Sequence, residues 1–121
     1  MANGRLTTLS GLSIAELAAV LQRCRLHVGA DSGVLHLAMA VGLPTVSLFR
    51  DYHDANAWAP AGPGHCVFRM PCVCVNRREQ PCAVENRAEC LGKVEAETVA
   101  TAVREQFQIA APPLSSQNKL A

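Results

Sequence analysis

A short apolar run, Leu26 to Val28, breaks at Gly29-Ala30-Asp31-Ser32-Gly33 and gives way to apolar residues at Val34, Leu35, Leu37, Ala38 and Val41. This is the pattern of a strand, a tight turn and the first turns of a helix. It constrains the chain strongly, because such a junction aims unpaired backbone N–H groups and the positive end of the helix dipole at whatever lies above the strand. The usual occupant of such a site is a phosphate or diphosphate. Asp31, Ser32, Gly33 and His36 project near it and are the candidate binding residues.

The flanking segments extend the same rhythm. Ser13-Ile14-Ala15-Glu16 has capping-box spacing, with Ser13 at the N-cap and Glu16 three residues on. Ile14, Leu17, Ala18 and Leu21 then fall at i, i+3, i+4 and i+7, so a helix is expected to end near Arg23. The helix from about Ser32 to Val41 is closed by Gly42, and Pro44 blocks its continuation. Thr45 to Phe49 is β-branched and aromatic and reads as a second strand, parallel to the first. Arg50 to Gly64 reads as a long loop, Cys66–Met70 as a short strand, and Glu95 to Phe107 as a last helix with Val99, Val103 and Phe107 on one stripe. Helix and strand alternating through short connections is the rhythm of a Rossmann-like α/β fold with a parallel sheet.

Composition excludes more than it identifies. One domain is the expectation for 121 residues, half of them apolar, with a net charge of +1. There is no basic excess to argue for nucleic acid, and no apolar run approaches the roughly 20 residues of a membrane span. Met1-Ala2-Asn3-Gly4 lacks a secretory apolar region, and nothing else targets the chain out of the cytosol.

Each site residue carries two readings. Gly33 lets the backbone approach a diphosphate closely, or is a helix-entry glycine with no ligand. Asp31 accepts hydrogen bonds from sugar hydroxyls, caps the helix with its carboxylate, or does both. Ser32 offers a hydroxyl and an N–H to phosphate oxygens; as a nucleophile it lacks the Gly-x-Ser-x-Gly elbow of a hydrolase. His36 shares the helical face of Ser32 and Gly33, where it can stabilise charge building on a leaving diphosphate, although a lone helical histidine is more often simply packed. His27, His53 and His65 are given no role, and Trp58 reads as a core or loop-anchoring residue.

Asp31-Ser32-Gly33-x-x-His36-Leu37-Ala38-x-Ala40-x-Gly42-x-Pro44 resembles the signature of glycosyltransferase family 9, the lipopolysaccharide heptosyltransferases. Upstream, Leu9-Ser10-Gly11-Leu12-Ser13-x-x-Glu16-Leu17-Ala18-Ala19-Val20-Leu21 fits the helix before that signature. Downstream, Pro44 to Phe49, Trp58-x-Pro60, the cysteines and the final helix follow the family order. The likeness covers Leu9 to Phe107 and implies part of the C-terminal, donor-binding domain of a two-domain GT-B enzyme. It implies transfer of heptose from ADP-heptose to a lipid-linked saccharide acceptor, with no cofactor required, in the cytoplasm and peripheral at the inner membrane. The acceptor side and catalytic base would come from an N-terminal half, without which these residues are expected to be inactive and to dimerise through an uncovered sheet edge. Arg50-Asp51-Tyr52-His53-Asp54 replaces the glycine-containing turn common in the family, and Ser32 stands where some members have threonine. On this view residues 1–109 form the partial domain, with a Cys-rich segment at 66–92, and 110–121 a disordered tail.

Six cysteines are the second signal. Cys24 and Cys66 read as buried free thiols. Cys72, Cys74, Cys82 and Cys90 have the count for structural zinc, but their long gaps suit reduced structural thiols as well, and a cytosolic compartment disfavours disulfides. Two other functions stay open from the residues alone: a non-catalytic nucleotide-sugar-binding remnant, and a metal-stapled interaction domain built on those cysteines.

Overall fold

The computed structural model describes residues 4–51, 55–71 and 89–110. The described elements are α1 (Ile14–Leu21), β1 (His27–Ala30), α2 (Gly33–Ala40), β2 (Thr45–Asp51), α3 (Ala55–Trp58), β3 (His65–Pro71), α4 (Glu89–Gly92) and α5 (Ala96–Ile109). The strands form one parallel sheet in the order β1-β2-β3. Parallel neighbours joined through helices give the expected Rossmann-like α/β architecture.

The α1 cap forms as its residues dictate. Ser13 Oγ accepts from the Glu16 amide at 3.2 Å, and Glu16 Oε2 accepts from the Ser13 amide at 2.7 Å. Both bonds satisfy amides that the first helical turn cannot. The Ser13 amide, the larger cause, and the Ser13 side chain also hold the Glu16 carboxyl below its ordinary pKa, because the charged form is the better acceptor.

α2 ends where glycine permits. Gly42 has φ +80°, its amide donates to Met39 O at 3.0 Å, and the Leu43 amide reaches Ala38 O at 2.9 Å. That is a Schellman motif, and its two ends meet in one cluster: Leu21, Ala38 and Leu43 are buried together, with Leu17, Cys24, Leu37 and Val41 against them. The turn that stops the helix therefore also closes the core between α1 and α2. Thr45, Val46, Ser47 and Phe49 are all at 0% exposure, so β2 is covered on both faces. α5 is different: none of its residues is buried, and Phe107 and Ile109 are 45% and 71% exposed.

Several boundaries depart from the sequence reading. β1 runs from His27 to Ala30 rather than Leu26 to Val28, because Gly29 and Ala30 find partners in Ser47 and Leu48. The loop expected from Arg50 to Gly64 contains the end of β2 and the short helix α3. Pairing of Arg50 with Met70 and Asp51 with Pro71 carries polar residues into the ladder despite their weak strand propensity. α4 lies in a stretch without clean periodicity, and its four residues offer a hydrophobic pattern too little length to show. Ala110, assigned to the tail, is buried at 8% and bonded through its amide to Gln106 O at 2.9 Å. Residues 111–121 lie outside the described residues.

No described helix is long and apolar enough to cross a membrane. Cys24 and Cys66 are half-buried thiols rather than fully buried ones, and Cys24 Sγ donates to Val20 O at 3.4 Å. Cys90 is buried in α4. Cys72, Cys74 and Cys82 lie outside the described residues, and so does the proposed zinc cluster; among the described residues no group of His, Cys, Asp or Glu side chains could hold a metal.

Candidate functional site

The junction that opens the sequence argument lies at the C-terminal end of β1, the end of a parallel sheet where ligands bind in α/β folds. The ladder continues past the strand, with the Asp31 amide donating to Leu48 O at 3.2 Å. Ser32, not Asp31, is the N-cap of α2, with extended φ −163° and ψ 166°, and its side chain makes no capping bond. The first helical bond of α2 runs from the His36 amide to Ser32 O at 3.4 Å. The amides of Gly33, Val34 and Leu35 precede it and have no carbonyl one turn back within the helix. An exposed hydroxyl, a set of forward-facing amides and the positive helix end thus share one spot.

Gly33 is not there for backbone reasons, since it is not among the glycines with positive φ. A Cβ at this position would meet no heavy atom within 4 Å. The space above it is open, and the hydrogen side chain keeps it so.

His36 and Asp31 come together although their i,i+5 spacing does not by itself place them side by side. His36 Nε2 lies 3.5 Å from Asp31 Oδ1, with the two side chains 36% and 35% exposed. The pair is ionic only when the imidazole is protonated. On its other side the His36 ring meets the indole of Trp58, with centroids 5.7 Å apart and planes at 70°. Of the two sequence readings of Trp58, core or loop-anchoring residue, the core one does not hold: it is 56% exposed at the site. A usable signal was present, because Trp58 follows β2 closely and loops after parallel strands converge on one crevice.

The opposite end of the sheet holds a second polar group. His27, Thr45 and His65 are register partners and so lie on one face. Thr45 Oγ1 and His65 Nδ1 are 2.9 Å apart. His27 Nε2 is buried with no partner, as is Ser47 Oγ two pairs along. Burial alone lowers the His27 pKa from its ordinary 6.5. The ring also lies against Gly29, where a Cβ would come within 2.9 Å of Nε2, so a larger residue there would push the His27 ring aside. His53 lies outside the described residues.

The family model of glycosyltransferase family 9 (heptosyltransferase) matches residues 3–89. The chain belongs to that family. The matched region contains α1, the whole parallel sheet and the Asp31–His36 junction, and it ends at the start of α4. It makes the protein one of the glycosyltransferases. Neither the curated proteins nor the solved structures give a match.

Proposed function

We propose that this family 9 protein holds a nucleoside-diphosphate sugar at the Asp31–His36 junction. In the complete enzyme it takes part in moving heptose from ADP-heptose to a lipopolysaccharide core acceptor. The observation that carries the reading is the entry to α2. The amides of Gly33, Val34 and Leu35, the uncommitted Ser32 hydroxyl and the open space over Gly33 together suit a diphosphate approaching along the helix axis.

The side chains divide the work by chemistry. Ser32 and the helix amides donate to phosphate oxygens. His36 donates as well and, when protonated, offsets the negative charge that grows on the diphosphate as the glycosidic bond breaks. Asp31 is an acceptor and would repel phosphate, so its useful partners are sugar hydroxyls at the edge of the site. Transfer also needs a base at the acceptor hydroxyl and a closed, water-poor cleft. A half-exposed Asp31–His36 pair supplies neither, so the base and the closed cleft must come from outside this pair.

Titration of ¹⁵N-labelled protein with ADP tests the assignment. Amide signals of Ser32, Gly33 and Val34 are expected to move first and furthest. Shifts confined to other regions would remove the junction as the site.

A further inference from the structure

A single exposed apolar side chain needs no explanation. Trp58 is a different case. Its indole stands 56% exposed, while Pro60, two residues on, is buried. The ring is held by an edge-to-face contact with His36, and His36 is held in turn beside Asp31. Asp31, His36 and Trp58 therefore form a row beside the α2 N-terminus. A carboxylate that only accepts, next to an aromatic surface in water, matches a ring bearing hydroxyls on its rim and C–H groups on its face.

We infer that Trp58 is the platform on which the sugar ring of the donor packs, with Asp31 accepting from its hydroxyls; this rests on the diphosphate reading above. The choice of sugar over base follows from reach. His36 lies three residues after Gly33, about one turn from the amides that would hold the diphosphate. The transferred sugar is bonded directly to that diphosphate, whereas the base is separated from it by a whole ribose. Asp31 adjoins the N-cap Ser32, so the hydroxyls it accepts from belong to the group bonded next to the diphosphate, and Trp58 meets that group beside His36. The indole then fixes the tilt of the ring, and with it the direction in which the anomeric carbon faces an acceptor.

Trp58 is the only tryptophan in the chain, so its emission reports this one position. The full chain is titrated with AMP, ADP and ADP-mannose, following indole emission together with the amides of Ser32 and Gly33. ADP and ADP-mannose are expected to move the amides, and only ADP-mannose the emission. Trp58→Ala should weaken ADP-mannose about tenfold and leave ADP within about twofold, while Trp58→Phe keeps most of the affinity. Amide shifts with unchanged emission, an emission change as large with AMP or ADP as with ADP-mannose, or equal loss of ADP and ADP-mannose in Trp58→Ala would each overturn the platform and leave the diphosphate site standing. Absence of amide shifts with every ligand would overturn the diphosphate reading and the platform with it.

Discussion

The two ends of the same three strands treat histidine in opposite ways. At the C-terminal end, His36 is partly in water, with a carboxylate on one side and an indole on the other. At the N-terminal end, His27 is largely enclosed and its Nε2 meets no partner. The first arrangement costs little stability, because solvent still reaches the pair, and it leaves polar atoms available to a ligand. The second costs stability, because a buried polar atom without a hydrogen bond forfeits its hydration. Polar residues in this fold are thus inexpensive where chemistry is expected and costly where none is.

The largest effect should come from the layer on which both ends depend. Leu35 is at 0% exposure on α2, directly behind the junction. Leu35→Ala is expected to lose about 2–5 kcal/mol, read as a lower urea midpoint. It should weaken the site only through the fold, which makes it the reference for the other variants. If it unfolds no earlier than wild type, α2 is not anchored as described.

Asp31→Ala should act at one end alone. In a complete enzyme carrying this domain, the expected fall in transfer is about 10²-fold, with melting unchanged. A matching loss of stability would make Asp31 a structural residue. At the α1 entry, Ser13→Ala should cost about 1 kcal/mol with no effect on ligand binding, since its loss leaves the Glu16 amide unsatisfied.

The smallest effect belongs to the enclosed histidine and has a definite sign. In the unfolded chain His27 titrates near 6.5, whereas burial holds it lower in the fold. Between those two values the unfolded chain binds more protons, so stability rises with pH there. The penalty for protonating His27 is therefore absent above pH 6.5 and grows progressively on acidification below it. His27→Val should be neutral or stabilising by under about 1 kcal/mol at pH 7.5. It should also reduce the drop in urea midpoint between pH 7.5 and 5.5. Equal drops in wild type and variant would mean that His27 is not enclosed.

What could be read in advance follows the range of the interactions. The α1 cap, the α2 stop at Gly42 and the junction itself depend on residues a few positions apart, and their spacing records them. The continuation of β1 through Gly29 and Ala30 depends on Ser47 and Leu48 in another strand, so local propensity carries no trace of it. For Trp58, whose place beside His36 is set by where α3 lands after β2, the one trace is its position after a parallel strand. The row His27, Thr45 and His65 is invisible for a similar reason: three scattered polar residues become neighbours only when the register is known.

The open space over Gly33 has a consequence for how variants of this protein would be sorted. Alanine fits there without contact, and it gives the unfolded chain fewer conformations to lose, a gain of up to about 1 kcal/mol. A library screened for expression or heat resistance would therefore enrich Gly33→Ala. The same methyl would stand where the diphosphate is proposed to approach, so a selection for sugar transfer would reject it. Running both selections on one library separates residues kept for folding from residues kept for use, and Gly33 is the position at which the two should disagree most plainly.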